Sequence, residues 1–237
     1  MSLSGQTQLF NVFMSVNRSL FNLPALSLAE KRIFEGVMLL DEYRPYDHWS
    51  KKLPVNRVID VGGHCGSFTR MVKAIWPEAV VTAYEPTPAL AKRFRDNTSG
   101  LSGVTLHEAA ATSRHDSRVE HSQIGLYECS HENTGGNSTS HRADGVRRSV
   151  SSRMLIDDIL SDNEPVAILK LDCEGDEGLL LHDLYAASWF LHIQYVCGEW
   201  HGQQNADAAS MTLSATHRVE VCRGDDPNIG AFFAFRR

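Results

Sequence analysis

Carboxylates stand at several places in this 237-residue chain where an apolar run gives way to a turn. In "VIDVGGHCGSFTR", residues 58–70, Asp60 ends such a run, and Gly62, Gly63 and Gly66 follow before helical spacing begins. In "VAILKLDCEGDEGLLL", residues 166–181, another run leads into Lys170, Asp172 and Glu174. "VTAYEP" puts Glu85 directly behind a third run, and "LHEAA" puts Glu108 and Ala109 behind a fourth. "VCGEWHG" places Glu199 and His201 behind a fifth. If these runs are parallel strands of one sheet, the charged groups gather at its carboxyl edge, where open α/β sheets bind ligands.

The glycine bend narrows the ligand. A dinucleotide site asks for G-x-G-x-x-G. Gly63 and Gly66 would supply its second and third glycines, but the first position is Val61. The pattern present is D-x-G-x-x-x-G, on Asp60, Gly62 and Gly66. A carboxylate at that strand end repels a pyrophosphate and suits a cation. Glu85 suits ribose hydroxyls, which NAD and S-adenosylmethionine share. S-adenosylmethionine has a sulfonium and an ammonium and no phosphate, so Asp60 and Glu85 together favour it. The helix starting near Gly66 offers N–H groups to its methionine carboxylate. Glycine bends also arise for backbone reasons alone. An NAD-dependent oxidoreductase and a non-catalytic binding module therefore stay open as alternatives.

Methyl transfer from a sulfonium asks the protein for alignment and removal of the acceptor's proton. Asp172 or His201 is the candidate base, with Lys170 and Glu174 beside it. Asp176 reads as a helix cap. Asp172 and Glu199 also offer the oxygen donors that a divalent cation such as Mg²⁺ takes, as a variant of a metal-free site. No Asn/Asp-Pro-Pro-aromatic stretch follows the fourth strand, and no Pro-Cys pair is present. The net charge of −6 lacks the basic footprint of a nucleic-acid binder. The densest basic cluster, Arg147, Arg148 and Arg153, reads as a solvated strand edge. A small-molecule acceptor, with no nucleic-acid or membrane partner, is expected.

The elements that must position these residues follow from periodicity. Strands are expected at 57–61, 79–84, 103–107, 166–171, 193–197, 217–222 and 230–236. Phe68, Met71, Val72 and Ile75 mark a helix that Pro77 ends. Thr87 and Pro88 open another, to about 96, and Leu179, Leu180, Leu184 and Tyr185 mark a third. The result is an α/β fold with a mostly parallel seven-stranded sheet. "GDDPNIG" is too short for a crossover helix, so the last strand runs antiparallel.

Ahead of this domain (51–237) lies an N-terminal helical extension (1–50). Leu9, Phe13, Val16 and Leu20 form one face of a helix over 6–21. Ser27 and Glu30 form a capping box for a helix over 28–42, with Ile33, Val37 and Leu40 on its apolar side. These helices would make a lid, a homo-oligomer contact or core packing. The polar, glycine-rich stretch 130–145 is a loop of functional length. The five cysteines contain no CxxC pair, as expected for reduced thiols in the cytoplasm. Neither a signal peptide nor a membrane span is expected.

The same stretches resemble the FkbM-type methyltransferases across roughly residues 57–202. "VIDVGGHCGSFT" is similar to that family's Asp-Val-Gly-Ala-Asn-x-Gly opening, with His64 where the family tends to have Asn. "YEPTPAL" is similar to its Glu-Pro segment. "ILKLDCEGDEGLLL" is similar to its Lys-Ile-Asp-Val-Glu-Gly-x-Glu signature. "MLIDDIL" (154–160) and "ENTGGNS" (132–138) also resemble stretches of it. The resemblance implies a class I (Rossmann-like) methyltransferase fold using S-adenosylmethionine, and O-methylation of sugar or natural-product hydroxyls. Asp60, Gly62, Gly63, His64, Gly66 and Glu85 would then hold the cofactor, with Glu108 and Ala109 at the same edge. Lys170, Asp172 and Glu174 would lie at the methyl-transfer site.

Overall fold

The computed structural model describes residues 28–39, 42–44, 54–112, 149–151, 155, 157–159, 165–186 and 188–237. The expected helix over 6–21, the Ser27 cap, the loop 130–145 and the cluster of Arg147, Arg148 and Arg153 lie outside these residues. The chain runs α1 (Leu28–Leu39), β1 (Arg57–Val61), α2 (Ser67–Ile75), β2 (Val80–Tyr84), α3 (Pro88–Thr98) and β3 (Val104–His107). Two short strands follow, β4 (Ala110–Thr112) and β5 (Ser149–Ser151). Then come β6 (Val166–Leu171), α4 (Glu177–Ala186), β7 (Ile193–His201), α5 (Gln203–Leu213), β8 (His217–Arg223) and β9 (Ile229–Arg236).

Seven strands form one sheet in the order β3-β2-β1-β6-β7-β9-β8. β1 pairs in parallel with β2 and β6, and β6 in parallel with β7. β9 inserts antiparallel between β7 and β8, as the short turn after Arg223 requires. The strand order reverses between β1 and β6. That is the topological switch point of a doubly wound sheet, and its crevice lies beyond the carboxyl ends of these two strands.

β1 and β6 are buried along their whole length, because helices cover both faces. On one face α2 buries Phe68, Met71 and Val72 against Val58, Ile168 and Tyr195. α1 packs Phe34, Val37 and Met38 into the same cluster. The apolar side read from Ile33 and Val37 is thus committed to the core. On the other face α4 and α5 bury Leu180, Leu184, Ala206 and Leu213 against Leu169, Val196 and Phe232.

Three details depart from expectation. α5 was not foreseen, since its buried face is largely alanine and carries little periodic signal. β7 continues four residues past 197, to His201. The Thr87 side chain makes no cap bond. Its backbone N–H instead donates to Glu85 Oε1 at 2.7 Å.

Gly198 lets β7 lie against β6. A Cβ there would stand 1.8 Å from the Leu171 carbonyl oxygen. Gly198→Ala must therefore push two core strands apart. It is expected to cost about 3 kcal/mol, read as a lower midpoint in urea unfolding with an unchanged slope.

Candidate active site

Parallel register places Asp60 beside Lys170 and Lys170 beside Cys197. Side chains alternate along a strand, so Asp60, Lys170 and Glu199 share the face covered by α1 and α2. Asp60 is fully buried. Thr69 Oγ1 donates to its Oδ2 at 2.8 Å, and Lys170 Nζ lies 3.3 Å from its Oδ1. Lys170 also donates to the Gly62 carbonyl at 2.6 Å, and its Nζ is 3.6 Å from Asp172 Oδ2. Burial would lower the Lys170 pKa, but Asp60 and Asp172 override it and raise it. The lysine is a cation clamped between two strand-end aspartates and the glycine bend. Asp60 therefore does not present an unmatched charge to a ligand, as the sequence reading assumed. Lys170 neutralises it from the neighbouring strand.

The bend is built on backbone. Gly62 and Gly63 both donate to the Tyr84 carbonyl, at 3.0 and 2.8 Å. Gly62 has φ +80°, and a Cβ there would sit 1.7 Å from the Asp172 carbonyl oxygen, so no side chain is tolerated. His64, at φ +48°, donates its N–H to Glu85 Oε2 at 2.9 Å. Glu85 is buried, with each oxygen taking one backbone N–H, from His64 and Thr87. Burial raises its pKa against the pull of those bonds. Gly66 caps α2 in the left-handed region. Ala109 is buried, whereas Glu108 lies at the surface in an ion pair with Arg95. β3 ends at His107, so Glu108 follows directly at that strand's carboxyl end.

Next to the bend is a carboxylate–imidazole cluster. Asp172, Glu199 and His201 bring one ligand atom each to within 4.8 Å of one another. His201 Nδ1 lies 3.1 Å from Glu177 Oε1. Glu177 is fully buried and also accepts the N–H of Cys173 and of Gly175. Glu174 stands at φ +58° in the turn above, its Oε2 3.5 Å from His201 Nε2. Burial, then the neighbouring Asp172 and Glu42, push the Glu199 carboxyl up to about 9. Burial and the charge of Asp172 raise Glu174 to about 7. Burial would lower His201, but its bond to Glu177 and the surrounding carboxylates push it up to about 9.

The segment 42–44 closes this cluster from above. Tyr43 OH donates to Asp172 Oδ2 at 2.8 Å, and its ring lies 5.1 Å from Lys170 Nζ and edge-on to Phe68. Tyr195 OH donates to the Tyr43 carbonyl at 2.7 Å. Arg44 pairs with Glu220 at 2.9 Å and covers the Phe233 ring. Sequence reasoning missed Tyr43, Glu42, Glu177 and Thr69. Only Glu177 had a signal, as the last acidic residue of the "LDCEGDE" stretch.

Residues 60–219, which run from the glycine bend through both acidic stretches, match the FkbM methyltransferase domain. The chain belongs to this family. The FkbM domain of this chain thus takes its methyl group from S-adenosylmethionine, as the resemblance implied. It is 24% identical over 156 residues to Methyltransferase 1 of Beauveria bassiana (strain ARSEF 2860), a match covering 56% of this chain and 60% of that protein. Among solved structures it is similar to the fibrillarin pre-rRNA processing protein of Methanococcus jannaschii, at 8% identity and a TM-score of 0.47, covering 77% of this chain and 66% of that one. It is also similar to the N-terminal domain of human METTL16 in complex with SAH, at 12% identity and a TM-score of 0.46, covering 100% and 84%. Likenesses this loose carry no argument, and the fold assignment rests on the strand order above. No helix among the described residues is long and apolar enough to cross a membrane.

Proposed function

We propose that this FkbM domain methylates a hydroxyl of a small molecule, of the sugar or natural-product type. The supporting observation is the carboxylate–imidazole cluster beyond the ends of β6 and β7, beside the glycine bend at the switch point. Glu85 suits the cofactor's ribose. A carboxylate has about four acceptor positions, and the backbone N–H groups of His64 and Thr87 orient it while taking two. Gly62, Gly63, His64 and Gly66 form the floor beneath the methionine portion, with Asp60 and Lys170 bracing that floor from below. The Asp172 carboxylate at this edge favours a cationic sulfonium over a phosphate.

When bound, S-adenosylmethionine would supply the methyl group to the acceptor oxygen, with S-adenosylhomocysteine as the neutral leaving group. The hydroxyl proton passes to the protein, and Asp172 is the group assigned to take it. Asp172 is held by Tyr43 and Lys170, so its geometry is set before the acceptor arrives. The same acidic surroundings weigh against a polyanionic acceptor, which fits the net charge of −6.

The test offers the full chain S-adenosylmethionine labelled in its methyl group, with glycosides and polyhydroxylated natural products in one arm and bulk RNA in the other. Label in an alkali-stable methyl ether of a small molecule is expected. Label in RNA alone, or in an alkali-labile ester, overturns the reading. In calorimetry S-adenosylhomocysteine should bind and NAD should not.

Tyr43 tests whether the segment ahead of the matched domain belongs to the site. Tyr43→Phe removes only the hydroxyl that holds Asp172. It is expected to lower kcat about tenfold with the acceptor KM unchanged. A purely structural tyrosine would leave kcat per folded molecule intact.

A further inference from the structure

We propose that Asp172, Glu199 and His201 form a binding site for a divalent first-row cation of the Mn²⁺ type. The site's use rests on the methyl-transfer reading, but its existence does not. The three ligand atoms lie within 4.8 Å of one another. That spacing lets one ion reach all three at the usual distance of about 2.0–2.3 Å with small side-chain movements. Two elements deliver them. Asp172 follows β6 directly, while Glu199 and His201 are two residues apart on β7 and leave it on the same side.

What separates this set from an ordinary patch of acidic residues is the orientation of the imidazole. His201 Nδ1 is committed to Glu177, a carboxylate with no exposure to solvent. Glu177 is in turn fixed by the backbone N–H groups of Cys173 and Gly175. The ring is therefore locked with Nε2 turned toward Glu199 and Glu174, at 3.7 and 3.5 Å. Among the described residues Nε2 makes no hydrogen bond. A buried carboxylate holding one imidazole nitrogen while the other faces two carboxylates is the usual outer-shell arrangement of a metal-ligating histidine.

The donors also choose the ion. Mg²⁺ takes oxygen ligands and keeps most of its water, so an imidazole adds little for it. Structural zinc sites are closed by four nitrogen or sulfur donors, and here two of three donors are carboxylates. A mixed N,O set with room for further oxygens suits Mn²⁺. Such an ion leaves coordination positions for the oxygens of a hydroxylated acceptor, whose proton becomes easier to remove.

The test uses the full chain, freed of metal with EDTA and dialysed, and titrated with Mn²⁺ alone. Binding is read as loss of the free-ion electron paramagnetic resonance signal. One Mn²⁺ per chain is expected, bound more tightly than Mg²⁺ in competition. His201→Gln and Glu199→Gln should each weaken binding about 10–100-fold, with melting curves confirming that both variants fold. No binding at millimolar Mn²⁺, or binding that both variants leave unchanged, overturns the proposal. Binding of S-adenosylhomocysteine to the metal-free chain is measured alongside. If it persists while Mn²⁺ fails to bind, the cation site is lost and the methyltransferase reading stands.

Discussion

Asp172→Asn is expected to lower kcat by about 10³-fold while S-adenosylhomocysteine binds within about threefold of the unaltered affinity. The amide has the shape of the carboxylate and still accepts the Tyr43 hydroxyl, which stands 2.8 Å from Oδ2. Lys170 keeps its second partner, since Asp60 Oδ1 lies 3.3 Å away. The fold and the glycine bend therefore survive the change, and only the group's ability to take a proton or ligate a cation is removed. Either role predicts a loss in kcat, because both act on the acceptor oxygen as it attacks. The measurement is steady-state turnover with labelled S-adenosylmethionine, alongside calorimetry with S-adenosylhomocysteine. Turnover within a few fold of the original would remove Asp172 from the chemistry and shift the search to Glu174, which lies in the turn directly after it.

Sequence reasoning reached the sheet because its strands are local apolar runs with local turns. Val166–Leu171 could be recognised without knowing its neighbours, and so could the short turn that makes β9 antiparallel. The strand-end positions of Asp60, Glu85, Lys170 and Asp172 followed from the same pattern. What each carboxylate touches did not follow. Asp60 and Lys170 are 110 positions apart, and only the pairing of β1 with β6 brings them together. Read alone, Asp60 was an open charge facing a ligand. Set beside Lys170 it is half of a buried pair.

Tyr43 was invisible for a stronger reason. Its contact with Asp172 spans 129 positions, and its own neighbourhood, "DEYRPYDHWS", carries no periodic signal. Glu177 opens α4, directly after the Asp176 that was read as its cap. Its more consequential contact, with His201 across 24 positions, depends on β7 continuing to His201 rather than stopping at 197. Both misses concern side chains that hold another residue in place. The sequence marks residue types at strand ends, but not which partner fixes them.

Lys170 is where fold and site depend on one atom, and its removal should have the largest effect on stability. Lys170→Met keeps the length of the side chain and deletes the charge. Among the described residues Asp60, fully buried, then retains only the Thr69 hydroxyl as a partner, and the Gly62 carbonyl loses its donor at 2.6 Å. Breaking one side of a buried ion pair costs about 3–5 kcal/mol, because an unmatched charge stays behind. The same pair replaced on both sides costs far less. Lys170→Met combined with Asp60→Asn is therefore expected to recover at least half of the lost stability in urea unfolding, although two substitutions have been made. Cofactor affinity separates bracing from simple packing. If the lysine holds the bend in register for Glu85 and His64, S-adenosylhomocysteine binding should fall about tenfold in folded Lys170→Met protein and stay low in the double variant, since neither restores the donor to Gly62. Full stability in Lys170→Met alone would mean that the pair does not brace the bend.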